Sequence, residues 1–131
     1  MRYLQVLFGE TDGSSTSGVF KLYDKLVIYG TPPNIWKLDP HVKLRIKQVN
    51  VSGKPVTVSI EFCRNYEDDT TCSPVDKIEL ASEGELSKKY EYPLVLRARN
   101  GSEGFRITWS QETAAKSYIM LVIEWSDEDG D

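Results

Sequence analysis

Apolar and polar residues alternate with a period of two along most of this chain, and no window of a dozen residues keeps helical spacing. Val42, Leu44 and Ile46 alternate with Lys43, Arg45 and Lys47. The phase then slips by one residue so that Val49 and Val51 continue, as a β-bulge allows. After Ser52-Gly53-Lys54, Val56, Val58, Ile60 and Phe62 alternate with Thr57, Ser59 and Glu61, which predicts a hairpin closed by a short Gly-containing turn. Leu94, Leu96 and Ala98 alternate with Val95, Arg97 and Arg99; the turn-forming NGSEG follows, and Phe105, Ile107 and Trp109 continue the pattern, which predicts a second hairpin. Shorter runs at residues 3–8, 35–38 and 75–80 complete the set, and residues 19–29 read as one strand or as two meeting at Asp24-Lys25. The QETAAK segment, residues 111–116, fits a single turn between strands. About eight or nine short strands imply an all-β fold, an antiparallel two-layer β-sandwich of jelly-roll-like type.

The 131 residues are enough for one core and not for two, so residues 1–125 are expected to form a single domain and residues 126–131 an acidic tail. Net charge is −4, from 16 basic and 20 acidic residues. Four of the acids, Asp127, Glu128, Asp129 and Asp131, sit in the tail, so the body carries no basic excess that would draw nucleic acid to the whole molecule. No stretch approaches the roughly 18 apolar residues of a membrane helix. The first residues, MRYLQVLFGETDG, lack the apolar core and cleavage site of a signal peptide. TDGSSTSG, residues 11–18, reads as a mobile loop, TPPN at residues 31–34 as a rigid connector, and Asn50 and Asn100 as turn residues rather than glycosylation sites.

Cys63 and Cys72 bracket the polar segment RNYEDDTT, as a loop staple would. Closing so short a loop stabilises a fold by about 2.5 to 3 kcal/mol in the chain-entropy model. Free thiols are the second reading and a metal site the last, because the spacing is not C-x-x-C and the one histidine, His41, is distant. Four Asn, three Gln, two Met and two Cys are few thermolabile residues, and a disulfide without an export signal is best attested in hyperthermophiles.

No catalytic motif is present: there is no G-x-S-x-G, H-E-x-x-H, P-loop or G-x-G-x-x-G, and no cofactor is implied. Glu10, Asp12, Glu67, Asp68, Asp69, Glu83 and Glu85 supply carboxylates, but no calcium-loop spacing orders them. If the second hairpin forms, Arg97, Arg99 and Arg106 share its solvent face and converge as an anion-binding or nucleic-acid-binding site, with a solvated face as the bland alternative. Trp36, with Tyr29 and Tyr90 or Tyr92 as neighbours, is either a stacking platform for sugar or a plug for the end of the sandwich. Trp109 reads as core. Residues 117–125 are apolar on both faces, Tyr118, Met120 and Val122 on one and Ile119, Leu121, Ile123 and Trp125 on the other, as in a central strand or half of a subunit contact, with Trp125 as an interface anchor.

The stapled CRNYEDDTTC loop, the KLRIKQVNV-type strands rich in Lys, Arg, Ile and Val, and the terminal SDEDGD give a texture that resembles small, uncharacterised all-β proteins of hyperthermophilic archaeal viruses, particularly spherical enveloped ones. The resemblance covers the whole chain, is compositional, and carries over no functional residue. It implies a viral protein in the virion or the host cytoplasm. With the two-faced strand it yields the expectation of a non-enzymatic structural or accessory protein that self-associates or binds other viral or host proteins. A lectin-like module and a weak nucleic-acid or anion binder stand as alternatives.

Overall fold

The computed structural model describes residues 2–22 and 35–127. Among these, ten strands form: β1 (Arg2–Glu10), β2 (Ser17–Val19), β3 (Lys21–Leu22), β4 (Trp36–Lys37), β5 (Val42–Gly53), β6 (Val56–Cys63), β7 (Cys72–Leu80), β8 (Gly84–Leu96), β9 (Gly104–Ser110) and β10 (Ser117–Asp127). They build two antiparallel sheets. Sheet A has the order β3-β1-β10-β5-β8; sheet B has the order β2-β9-β6-β7, with β4 also paired to β9. The all-β two-layer expectation therefore holds. The count exceeds the expectation because residues 17–19, mostly within the stretch read as a loop, pair with β9 as β2. The chain changes sheets at Phe20, between β2 and β3, and TPPN lies outside the described residues.

The slip in phase at Lys47 is a bulge. Val122 pairs Gln48 and Ile123 pairs Ile46, so Lys47 is skipped in the ladder. The extra residue lets Leu44 and Ile46 before it and Val49 and Val51 after it all face inward, where each is fully buried. Opposite them, sheet B contributes Val58, Ile60, Phe105, Ile107 and Trp109 to the same core.

Neither expected hairpin forms. β5 lies in sheet A and β6 in sheet B, and β8 and β9 are split in the same way, so both connections cross between layers. Alternation dictates which side of a strand faces the interior, and an arch between facing sheets satisfies it as well as a hairpin does. The β5–β6 arch turns at Gly53, whose φ of +101° is left-handed backbone that suits glycine. It is held where Ser117 Oγ donates to Lys54 O at 2.7 Å and Gln111 Nε2 donates to Pro55 O at 3.2 Å. The β6–β7 connection, by contrast, is a hairpin: Cys63 and Cys72 are cross-strand partners joined by the disulfide, around a 3-10 turn (Asp69–Thr71) capped by Asp68.

Three local expectations are corrected. Residues 11–18 are anchored rather than loose: Thr11 is fully buried, its Oγ1 donates to Ala115 O at 2.7 Å, Asp12 accepts from the amides of Ser14 and Ser15, and residues 17–19 form β2. The Asx turn and the buried threonine hydroxyl supply order that composition does not show. The 111–116 segment contains no helical turn; the buried Gln111 instead uses its side chain to tie Pro55 to Ser117. Asn50 sits within β5, bonded to Gln48 and Ser87, whereas Asn100 does make a turn, accepting from Ser102. β10 also runs through Ser126, whose buried hydroxyl accepts from Arg45, so the strand extends two residues into the expected tail.

Gly18 on β2 lies flat against the Trp109 indole, and a Cβ there would stand 2.5 Å from the ring. Trp109 is buried and packed on Phe20, so the ring has nowhere to retreat. Gly18→Ala is expected to destabilise the fold by about 1–3 kcal/mol through overpacking, while Gly101→Ala, which meets nothing within 4 Å, should be near neutral. Chemical denaturation of the two variants checks the contrast.

Candidate functional site

The outer face of sheet A carries the main candidate. In β1 and β10 the pairs Val6↔Val122 and Phe8↔Met120 stand side by side, flanked by Leu4 and Tyr118. Leu4, Val6, Phe8 and Tyr118 are 64%, 39%, 48% and 45% exposed, and Met120 and Val122 are half-buried between their neighbours. The result is a contiguous apolar strip along two adjacent strands. Next to it the middle of β5 and β8 presents polar side chains, Gln48, Asn50 and Ser87, bonded to one another, and toward one end Val95 of β8, opposite Arg45, is 49% exposed. At one end Glu124 is ringed by Arg2, Arg45 and Lys47 at 3.6, 3.8 and 3.6 Å. At the other end Glu10 pairs with Lys116 at 3.1 Å.

The outer face of sheet B differs in kind. Thr57, Ser59 and Glu61 of β6 pair across with Ser110, Thr108 and Arg106 of β9, and with Glu79, Lys77 and Pro74 of β7. One face of the molecule is polar and the other bears an apolar strip, so the strip is not a general property of these strands.

Of the expected interface residues, Tyr118, Met120 and Val122 are therefore outward. Trp125 is not: it is 7% exposed, on the core side of β10, and its ring stacks on Tyr3 at 4.2 Å. An odd-numbered residue on this unbulged strand shares the inward face of Ile119, Leu121 and Ile123. Leu4, Val6 and Phe8 were missed because residues 3–8 are apolar on both faces, and only the pairing with β10 decides which side faces the core.

The three arginines do not converge. Since β8 and β9 belong to different sheets, Arg106 points from β9 and is held by Glu61, with Nε to Oε1 at 2.7 Å. Arg97 and Arg99 leave the end of β8 and, with Pro40, His41 and Ala98, line an open cleft of about 480 Å³. Beneath it Glu103 is 3% exposed and accepts from the Arg99 amide, with the Arg99 guanidinium 3.5 Å away. His41 thus takes the place that the sequence reading gave to Arg106.

The aromatic platform is also corrected. Trp36 is 4% exposed and stacks on Phe105 at 4.9 Å. Burial removes the ring face that a sugar would need. Tyr29 lies outside the described residues. Tyr92 is 81% exposed. Tyr90 is engaged: its hydroxyl donates to Asp76 Oδ2 at 2.6 Å, and Lys88 Nζ donates to the same oxygen at 2.7 Å. This clasp joins β7 of sheet B to β8 of sheet A. Among the described residues no group of three or more His, Cys, Asp or Glu side chains could hold a metal ion, and no helix is long and apolar enough to cross a membrane.

No family profile matches this chain, and no curated protein matches it in sequence. Solved structures do match in fold. Murine APRIL is 10% identical over 92% of this chain and 98% of its own, with a TM-score of 0.54. A protein of the Bacillus endospore appendages, described as a novel family of disulfide-linked pili, is 13% identical over 95% of this chain and 88% of its own, with a TM-score of 0.50. A virus-like particle of the extra small virus of the prawn Macrobrachium rosenbergii gives 13% identity over 95% and 79%, at a TM-score of 0.35, a superposition too loose to bear on function. At these identities the likeness is one of fold.

Burial is the largest influence on the Asp76 carboxyl and opposes its ionisation, but the hydrogen bonds from Lys88 and Tyr90, with the charge of Lys88, together outweigh it and hold the group below its usual range. Burial first, then the bond and the charge of Asp76, raise the Tyr90 hydroxyl well above the usual tyrosine value. The clasp should therefore stabilise the fold at neutral pH, losing its effect in acid as Asp76 takes up a proton below its unfolded value of about 3.9, and in alkali above about 10, where only the unfolded tyrosine ionises readily. Tyr90→Phe is expected to flatten the alkaline limb and Asp76→Asn the acid limb in denaturation profiles taken against pH.

Proposed function

We propose that this chain is a non-enzymatic structural protein that works by self-association through the outer face of sheet A, as a component of a virion or an accessory protein in the infected host cell. The observation that carries the reading is the strip formed by Leu4, Val6, Phe8, Tyr118, Met120 and Val122, set beside a polar surround on a molecule whose other outer face is polar. Contiguous apolar surface rimmed by polar groups marks contact sites on soluble proteins. The viral assignment rests on the compositional resemblance. The pilus-forming neighbour supports self-assembly to the extent that its fold is shared. Both cysteines of this chain are spent on Cys63–Cys72, so assembly here is non-covalent.

The wild-type protein is expected to form a discrete oligomer at micromolar concentration in sedimentation velocity, and Val6→Lys with Met120→Lys to yield a folded monomer. Both positions face outward, so the substitutions should leave the circular dichroism unchanged. A wild-type protein that stays monomeric, or a double variant that assembles as before, would overturn the reading.

The cleft lined by His41, Arg97 and Arg99 favours a second, subsidiary function in weak anion or nucleic-acid binding. A short single-stranded oligonucleotide should then be retarded at low salt, with affinity falling steeply as salt is raised, and Arg97→Ala with Arg99→Ala should abolish the shift. Unchanged migration of the oligonucleotide with the wild-type protein rejects it.

A further inference from the structure

Of the four asparagines only Asn100 precedes a glycine. Asn100, Gly101 and Ser102 stand exposed in the turn between β8 and β9, and a Cβ at Gly101 would meet nothing within 4 Å. The side-chain oxygen of Asn100, Oδ1, accepts from the Ser102 amide at 2.9 Å and from the Ser102 hydroxyl at 2.6 Å. This Asx turn folds the side chain back over the Gly101 peptide. Among the described residues the Gly101 N–H donates to no group. Asn65 makes the same kind of turn, its Oδ1 accepting from the Glu67 amide at 3.0 Å, but the amide that follows it, that of Tyr66, is committed to Ser102 O at 2.7 Å and carries a bulky side chain. Asn50 lies in the β5 ladder ahead of the branched Val51, with its Oδ1 taken by Gln48 and Ser87.

We propose that Asn100 is a site of spontaneous deamidation, in which the Gly101 amide is the nucleophile and Ser102 supplies the stabilising donors. The Gly101 nitrogen loses its proton to solvent base and attacks Asn100 Cγ, closing a five-membered imide. The Cγ–Nδ2 bond breaks, and ammonia leaves with a proton taken from solvent. Water then opens the imide at either carbonyl, giving aspartate or isoaspartate with no change in oxidation state. During the attack negative charge develops on Oδ1, the atom that the Ser102 N–H and O–H already hold, so the two donors act as an oxyanion hole. Glycine contributes by leaving its nitrogen uncrowded and its backbone free to reach the ring conformation. The product places a carboxylate directly after Arg99, whose guanidinium flanks the buried Glu103 and which lines the cleft with His41 and Arg97. An isoaspartate also adds a backbone carbon to a turn that the Tyr66 and Leu38 amides hold at Ser102 O and Glu103 O. Resting on the anion-binding reading of that cleft, each event weakens its hold on anions, so binding declines with the age of the molecule.

The test follows peptide mass during incubation of the whole protein at mildly alkaline pH, reading the replacement of NH2 by OH and separating the isoaspartyl peptide by chromatography. In the wild-type protein deamidation is expected at Asn100 and not at Asn50 or Asn65. Gly101→Ala is expected to slow it by about tenfold, because a Cβ crowds the attacking nitrogen. Ser102→Ala is expected to slow it by about three- to tenfold, the worth of one lost hydrogen bond to Oδ1. An Asn100 that deamidates no faster than Asn65 overturns the site, and a Ser102→Ala protein that reacts as fast as wild type overturns the role of the hydroxyl. Retardation of the oligonucleotide by fresh and by aged protein checks the consequence. Aged wild type should bind several-fold more weakly than fresh, whereas aged Asn100→Gln, whose longer side chain closes a ring far more slowly, should match its fresh form. Equal binding by fresh and aged wild type overturns the link to the cleft. Fresh protein that retards no oligonucleotide defeats the cleft reading alone, because the mass measurement does not depend on it.

Discussion

The hydrogen-bonded ladder that β10 shares with β1 on one side and β5 on the other positions nearly everything else in the molecule. β10 is central in sheet A, so its backbone donors and acceptors are used on both edges. Its side chains divide cleanly by parity. Ile119, Leu121, Ile123 and Trp125 fill the core, and Tyr118, Met120, Val122 and Glu124 are delivered to the middle of the opposite face. The bulge at Lys47 keeps this division consistent in the neighbouring strand. Without the skipped residue Val49 and Val51 would turn outward, and the core would lose two fully buried side chains.

Much of this was legible from alternation alone: the fold class, the bulge, the core placement of Trp109 and the two-faced character of residues 117–125. What alternation could not give was the sheet to which each strand belongs. In a sandwich the inner faces of the two layers look toward each other, so Val49–Val51 and Val56–Val58 satisfy the same pattern whether the chain folds back beside itself or arches across. The site residues inherited that ambiguity. Only a hairpin would bring Arg106 beside Arg97 and Arg99, and the arch puts His41 there instead, which is remote in sequence and carries no local signal of its neighbours. Leu4, Val6 and Phe8 were illegible for a different reason: a strand that is apolar on both sides has no parity to read until its partner is known.

The connection with a covalent staple is also a hairpin with an irregular register. β6 and β7 close around a polar loop in which the Thr71 hydroxyl donates to the Asn65 and Asp68 carbonyls and accepts from the Asn65 amide. Their ladder also contains an irregularity between Ile60 and Glu61. β7 is the edge strand of sheet B. An edge strand with a register shift can slip or pair elsewhere, and the disulfide at one end with the Asp76, Lys88 and Tyr90 clasp along its length constrains it in both respects. Both devices act within one chain.

The outer surface is unequal on the two sides of the molecule, and the inequality is informative because the two sheets face the same solvent. Sheet B covers its outer face with Thr57, Ser59, Glu61, Thr108 and Arg106, and the salt bridge from Arg106 to Glu61 lies across two adjacent strands. Sheet A could have been finished in the same way, and the Gln48, Asn50 and Ser87 part of β5 and β8 is, although Val95 opposite Arg45 stands 49% exposed. The β1 and β10 half instead gathers six apolar side chains over two strands, four of them as the direct pairs Val6↔Val122 and Phe8↔Met120, with Glu124 and Glu10 at the ends. Single exposed apolar residues call for no explanation. A strip in cross-strand register does, since each member enlarges the area that a flat partner would remove from water, and a flat β face is itself the partner geometry that fits it best.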